Sequence, residues 1–156
     1  ADIIMYTDGG AKGNPGNGGY GTVLISGKFR KELSEGFRLT TNNRMELMAV
    51  VRGLEALKEP CNVRIFSDSK YVVDAVEKGW LRSWKTKNFK GKKNVDLWLN
   101  YLEAAKKHKI AFTWVKGHAG IPENERCDVL AVEASAEKNL QEDTGYTQAS
   151  NDNQLF

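Results

Sequence analysis

Residues 40–60 read TTNNRMELMAVVRGLEALKEP, and the hydrophobic period changes inside this stretch. Before it, Gly21 to Ser26 and Phe29 to Leu39 read as two strands joined by a tight turn near Gly27-Lys28. From Asn43 onward, Leu47, Val50, Val51, Leu54 and Leu57 fall on one helical stripe. Pro60 stops that helix, since its ring cannot continue one. Upstream, Ile3, Ile4 and Tyr6 form a short β-rich run ending at Thr7-Asp8-Gly9-Gly10, and the glycine-rich Gly9 to Gly19 reads as a turn or loop. Downstream, Val63, Ile65 and Phe66 give a strand that ends at Ser67-Asp68-Ser69. A short helix over Tyr71–Glu77 follows, then a helix over Val95–His108 with Leu99 and Leu102 facing inward. Ile110 to Val115 is a strand, Gly117 to Gly120 a loop, and Pro122 to Lys138 a last helix. The expected order is β-β-β-α-β-α-α-β-α. It implies an α/β fold: one five-stranded mixed sheet, its first three strands antiparallel, flanked by helices. Residues 1–140 are expected to form a single domain, and 141–156 a polar, acidic, loosely held tail.

Composition narrows the function classes. With 156 residues and 40% hydrophobic content, the chain can bury one real core. No apolar run approaches the ~20 residues of a membrane span, and the N-terminus lacks the basic start and apolar stretch of a signal peptide. Cys61 and Cys127 make neither a disulfide framework nor a zinc quartet. They read as buried free thiols, which points to the cytoplasm. The net charge is only +3, but Lys78, Arg82, Lys85, Lys87, Lys90, Lys92 and Lys93 lie together without an intervening acid. Those seven leave the remainder of the chain at −4. Such local basicity suits nucleic acid, and equally a solvated lysine-rich loop.

Four acids hold positions where soluble proteins place functional groups. Each also has a local structural reading. Asp8 could be a turn former after its strand. Glu46 could close a capping box with Asn43, and Asp68 could cap a helix. Asp128 lies near the start of the last helix, where the dipole favours an anion. Taken together they say more. Two end strands that are neighbours in such a sheet, and two begin helices that can pack across it. Folding would gather four negative charges, and their repulsion calls for a cation. All-oxygen ligation favours magnesium or manganese over zinc. A pair of such ions suits in-line attack on a phosphodiester. Of the two histidines, His108 ends a lysine-rich helix and reads as a structural cation at the dipole. His118 sits between glycines before the helix of Asp128. It is either a proton shuttle or an exposed loop residue.

Six segments carry a wider pattern: Tyr6-Thr7-Asp8-Gly9, Gly13-Asn14-Pro15-Gly16, Thr40 through Leu47, Ser67-Asp68-Ser69, Trp114-Val115-Lys116-Gly117-His118 and Glu123 through Asp128. In this order they resemble the signature segments of bacterial type 1 ribonuclease H. The match covers nearly the whole chain except the acidic tail. The resemblance implies an endonuclease that cuts the RNA strand of RNA–DNA hybrids with two Mg2+ ions, Mn2+ being a possible substitute, and leaves 3′-hydroxyl and 5′-phosphate ends. It implies that Asp8 bridges both ions, that Glu46 and Asp68 complete one and Asp128 the other, and that His118 helps the product leave. It assigns Asn14, Asn42 and Asn43 to the RNA strand around its 2′-hydroxyls, and Thr41 to a phosphate pocket for the DNA strand. Trp80, Trp84, Lys85, Lys87, Lys90, Lys92 and Lys93 match a basic handle that holds the hybrid. The chain departs from the pattern in two places. The segment after Trp84 is several residues shorter than in the best-known members and lacks a further tryptophan, and Lys70 stands where some members have glutamine. Both bear on affinity rather than chemistry. A monomer without membrane or obligate protein partner is expected. A noncatalytic hybrid- or duplex-binding module is the alternative, and loss of an acid would have favoured it.

Overall fold

Along the first strand, Ile3, Met5 and Thr7 are buried while Asp2 and Ile4 are exposed, the period-two signature of a strand packed on one face. In the computed structural model, which describes residues 1–154, this strand is β1 (Asp2–Ala11). It is followed by β2 (Gly16–Ser26), β3 (Phe29–Thr40), α1 (Asn42–Glu55), β4 (Asn62–Ser67), α2 (Lys70–Glu77), α3 (Trp80–Thr86), α4 (Val95–Ala105), β5 (Lys109–Trp114), α5 (Pro122–Ser135), β6 (Gln141–Glu142) and α6 (Thr144–Gln154). The strands lie in the order β5-β4-β1-β2-β3-β6. β1, β2 and β3 pair antiparallel, whereas β4 pairs parallel to β1, β5 to β4, and β6 to β3.

The α/β class and the mixed sheet with its three antiparallel strands are as expected. Among the described residues the sheet has six strands, not five. β6 is only two residues long, too short to carry an alternating pattern. It adds Gln141 and Glu142 to the edge strand β3, so the segment expected as a loose tail begins inside the sheet. Its next residue, Asp143, is buried.

α1 is the centre of the core. Residues 44–51 of this helix are all buried, together with Gly53 and Leu54. It packs on β1 and β2 and meets α4 on its far side. Trp98 of α4 is fully buried, with Tyr71, Trp84 and Tyr101 ringed about it at centroid distances of 5.7–5.9 Å. Its indole N–H donates to the Tyr71 hydroxyl at 2.8 Å, so the ring is buried without an unpaired donor. The inner face of α4 is therefore Leu97, Trp98 and Tyr101, and Leu99 is 51% exposed, contrary to expectation. α3 was also unexpected: it is seven residues long and buries only Leu81, so no apolar stripe marks it.

On the opposite face α5 crosses the sheet, with Cys127 and Leu130 against Val23. Two glycines make this possible. A Cβ on Gly19 would lie 2.5 Å from the Ala131 carbonyl oxygen, and one on Gly21 would lie 2.3 Å from that of Cys127. This is why Gly9 to Gly19, expected as a loop, is largely strand. Gly9, Gly10 and Ala11 pair with Tyr20, Gly19 and Gly18. Glycine here serves close helix–sheet approach rather than a turn.

His108 is structural for a different reason than expected. Its Nδ1 accepts the backbone N–H of Cys61 at 3.1 Å, which requires a neutral ring at that nitrogen. Burial and the Lys107 charge hold its pKa below the ordinary histidine value of 6.5. The unfolded chain therefore takes up the proton first as pH falls. Stability linked to this group is full above 6.5 and declines below it, until the folded imidazole titrates. Between pH 7.5 and 5 this decline should appear as a fall in the melting temperature of wild type relative to a variant without the titrating ring, since Asp8 and Glu46, whose pKa values are raised, act in the opposite direction over the same range. His108→Asn is that variant, because it supplies an acceptor that does not titrate. Parallel curves would rule out His108 as its source.

Candidate active site

Asp8 and Asp68 are neighbours because β1 and β4 are parallel and in register. Thr7 pairs with Ser67, so the next residue of each strand emerges at the same sheet end. Glu46 reaches that point from α1, which lies so close to β1 that a Cβ on Gly9 would sit 2.5 Å from the Met45 carbonyl carbon. The bare Gly9 N–H donates both to Asp8 Oδ1 at 2.9 Å and to Glu46 Oε1 at 2.8 Å. Asp8, Glu46 and Asp68 each offer a carboxylate oxygen, all within 4.8 Å of one another. Asp128, from the second turn of α5, lines the same cleft, though not within that tight trio.

The capping roles open to Glu46 and Asp68 are occupied by other groups. Thr41 Oγ1 caps α1 by accepting the Arg44 N–H at 3.3 Å, so Asn43 and Glu46 form no capping box. Ser69 Oγ caps α2 by accepting the Val72 N–H at 3.2 Å, which leaves the Asp68 carboxylate to the cleft. Beside it stands Gly117, where a Cβ would approach Asp68 Oδ2 to 2.7 Å.

Electrostatics at this cluster favour a cation. Burial, then the Asp68 and Asp128 charges, push the Asp8 carboxyl up to about 7, against partial relief from its hydrogen bonds. Burial and the Asp8 charge push Glu46 well above the usual carboxylate range. Burial also raises Asp68, opposed in part by His118. Among the described residues, the buried Glu46 Oε2 has no hydrogen-bond partner. A buried carboxylate oxygen without a donor is costly, and a hard divalent cation is the partner that an all-oxygen set suits. The donor set therefore fits magnesium or manganese.

The cleft has a volume of about 570 Å3. Its lining includes His118, Asn42, Asn43 and Lys70 besides the four acids. His118 lies on the loop between β5 and α5 with a left-handed backbone, φ 56°. A second groove of about 800 Å3 shares Asn42 and Asn43 with it and adds Asn14, Thr41, Lys92 and Lys93. Asn14 and Asn42 hold one another in place. Asn14 Oδ1 accepts the Asn42 N–H at 3.0 Å, while Asn42 Oδ1 accepts the Ala11 N–H at 2.7 Å.

The expected basic handle is divided. Trp84 packs against Trp98 in the core, and Lys92 Nζ lies 5.2 Å from its ring centre. Trp80 is 44% exposed beneath Lys78. Lys85, Lys87 and Lys90 are exposed and line neither cleft. Sequence reasoning missed the pairing of Lys70 with Trp114, whose indole N–H donates to the Asp68 carbonyl at 3.0 Å. It also missed the packing roles of Gly9, which follows Asp8, and of Gly117, whose only signal was its place before His118.

Residues 1–136 match the RNase H family. A ribonuclease H of Syntrophus aciditrophicus is 54% identical over 149 residues, covering 92% of this chain and 86% of its own. One of Desulforamulus reducens is 56% identical over 144 residues, covering 89% and 91%. Among solved structures, LC9-RNase H1, a type 1 RNase H with the type 2 active-site motif, superposes with a TM-score of 0.80 at 28% identity over 88% of this chain and 73% of that one. LC11-RNase H1, solved in complex with an RNA/DNA hybrid, superposes at 0.66 with 27% identity over 85% and 96%. A carboxylate trio at the end of paired parallel strands, in a chain so matched along its length, places this protein in the RNase H family of nucleases.

Proposed function

We propose that this protein hydrolyses the RNA strand of RNA–DNA hybrids endonucleolytically, leaving 3′-hydroxyl and 5′-phosphate ends. The observation that carries the reading is the partly buried Asp8–Glu46–Asp68 trio with its unpaired, buried Glu46 oxygen. The hybrid bound by the related LC11 enzyme supports the substrate class.

Asp8, Glu46, Asp68 and Asp128 would hold two Mg2+ ions, or Mn2+ in their place. When bound, such ions supply a lowered water pKa and stabilise charge on the attacking and leaving oxygens. The remaining work falls to the chain itself. Asn14 is tied to the Asn42 backbone N–H and Asn42 to that of Ala11, and with Asn43 they line the joined cleft and groove, where amides can read the 2′-hydroxyls that distinguish RNA from DNA. Thr41, Lys92 and Lys93 line the adjoining groove and would hold backbone phosphates. Trp80, Trp84, Lys85, Lys87 and Lys90 complete the handle. His118, on its loop at the cleft, moves a proton as product departs. The enzyme is taken to act as a monomer in the cytoplasm. Its buried, unpaired cysteines suit a reducing compartment.

Cleavage of a labelled hybrid should require added divalent metal and stop in excess chelator. Asp68→Asn should bind hybrid near wild-type affinity and cleave it negligibly. Substantial turnover by that variant would remove Asp68 from the mechanism. Duplex DNA, duplex RNA and single-stranded RNA, run beside the hybrid, test the substrate class.

His118→Ala should slow turnover by ~10²-fold without abolishing it, because solvent partly replaces a proton carrier. A variant indistinguishable from wild type across pH would make His118 a bystander.

Charge crowding sets a stability prediction. Asp8 and Glu46 have raised folded pKa values, so the strain they impose is greatest at high pH and is relieved as pH falls through about 7. Without metal at pH 8, Asp8→Asn should raise the melting temperature by roughly 2–4 °C, the shift that about 1 kcal/mol gives at this size. Magnesium should then stabilise wild type more than the variant. A lower melting temperature in Asp8→Asn would show that the carboxylate stabilises its turn instead.

A further inference from the structure

We propose that the C-terminal segment, from β6 into the first turns of α6, is a wall of the substrate groove, and that Asp143 positions it for the backbone of a bound duplex. The proposal rests on the hybrid-hydrolase reading above. The 800 Å3 groove has the asparagines and Thr41 on one side and Lys92 and Lys93 on another. Its remaining wall is Gly145, Tyr146, Gln148 and Ala149, all from α6. The groove shares Asn42 and Asn43 with the acidic cleft, so a duplex lying over the acids extends into it.

Arg44 joins these walls. It is 2% exposed, and all five of its N–H donors are engaged. Nε donates to Asp143 Oδ2 at 2.7 Å, and Nη2 to Asp143 Oδ1 at 3.0 Å and Asp96 Oδ2 at 2.7 Å. Nη1 donates to Asp96 Oδ1 at 2.9 Å and Asn94 Oδ1 at 3.4 Å. A guanidinium so saturated has no donor left for a ligand. It acts as a joint between three pieces of chain: the asparagine cluster immediately before it, the start of α4 directly after Lys92-Lys93, and the C-terminal segment. Asp143 closes the joint. It is 3% exposed and also accepts the Thr40 hydroxyl at 2.7 Å. α6 rests directly on the cluster, since a Cβ on Gly145 would lie 2.0 Å from Asp96 Oδ2 and 2.6 Å from Arg44 Nη2. Removing the Asp143 carboxylate leaves a buried cation half-paired. The start of α4 and α6 then lose their common anchor, and the two groove lysines lose their fixed distance from the asparagines.

The test compares full-length wild type, Asp143→Asn and Asp143→Ala by fluorescence anisotropy on a labelled hybrid across a salt series, alongside steady-state cleavage and melting temperature. Each lysine–phosphate contact contributes about 0.9 to the slope of log affinity against log salt, and two contacts change affinity roughly tenfold over moderate salt. Asp143→Ala should therefore bind roughly tenfold more weakly and flatten the slope by up to about 1.8. Its KM should rise while kcat stays within about twofold, the pattern of lost uniform binding. Asp143→Asn keeps the shape and part of the hydrogen bonding, and should fall between. If alanine at this position prevents folding, Asp143→Asn and Gly145→Ala decide the matter by the same readouts. A lower melting temperature with unchanged affinity and unchanged salt slope would overturn the proposal, leaving Asp143 a purely structural anchor. Failure of wild type itself to bind the hybrid would instead overturn the functional reading, and this proposal with it.

Discussion

Repulsion among Asp8, Glu46 and Asp68 is the constraint on which the rest of the structure depends. Their oxygens lie within 4.8 Å of one another. At an effective dielectric near 20, two unit charges at that distance repel by roughly 3 kcal/mol. Three such pairs come to about 10 kcal/mol, comparable with the ~5–15 kcal/mol of net stability that a domain has. The three cannot all ionise in the metal-free protein at little cost: burial and then the neighbouring charges push Asp8 up to about 7 and hold Glu46 well above the usual carboxylate range. A cation converts the same geometry from a liability into a binding site.

Such a cluster persists only on elements that cannot retreat. β1 is hydrogen-bonded on both sides, by β2 and β4. α1 is buried along most of its length and meets β1 at van der Waals contact over Gly9. α5 is drawn onto the sheet over Gly19 and Gly21, and this approach brings Asp128 toward the other three. The acids gather at the carboxyl ends of the parallel pair β1 and β4, between helices on opposite faces, where open α/β sheets characteristically place ligands. Packing thus supplies what the charges oppose. The mismatch between the two is stored at the one place where a ligand can relieve it.

How much of this was legible in the sequence depends on the range of the interaction concerned. The stripe from Leu47 to Leu54 is a local periodic signal, and it marked α1 correctly. The acids were recognisable together but not singly, since each also suited a turn, a cap or a helix start. For Glu46 and Asp68 the structure removes the capping reading, because Thr41 and Ser69 take the caps. Local pattern could not choose between Thr41 and Asn43. Gly9 to Gly19 misled because glycine there answers to distant helices, Gly9 to α1 and Gly19 to α5, the latter more than a hundred residues downstream. Asp143 sat in a polar stretch that read as solvated, and its partner Arg44 is 99 residues away. β6 and α3 are too short to carry any period.

The basic segment shows the same division within seven charges that looked alike. Asn88, Phe89 and Asn94 adopt left-handed backbone, which L-residues hold only when their surroundings over-determine it. Phe89 is buried, and its N–H donates to the Trp84 carbonyl at 2.8 Å while its own carbonyl accepts the Lys92 N–H at 2.9 Å. Trp84 in turn packs on Trp98. The chain is therefore pinned to the core just ahead of Lys92 and Lys93, and again just after them by Asn94 and Asp96 on Arg44. Lys85, Lys87 and Lys90 line neither the cleft nor the groove. All five lysines are exposed, but the backbone of Lys92 and Lys93 is held at the groove from both sides. The shortened segment thus concentrates its ordered charge at the groove, beside the residues that would read the RNA strand.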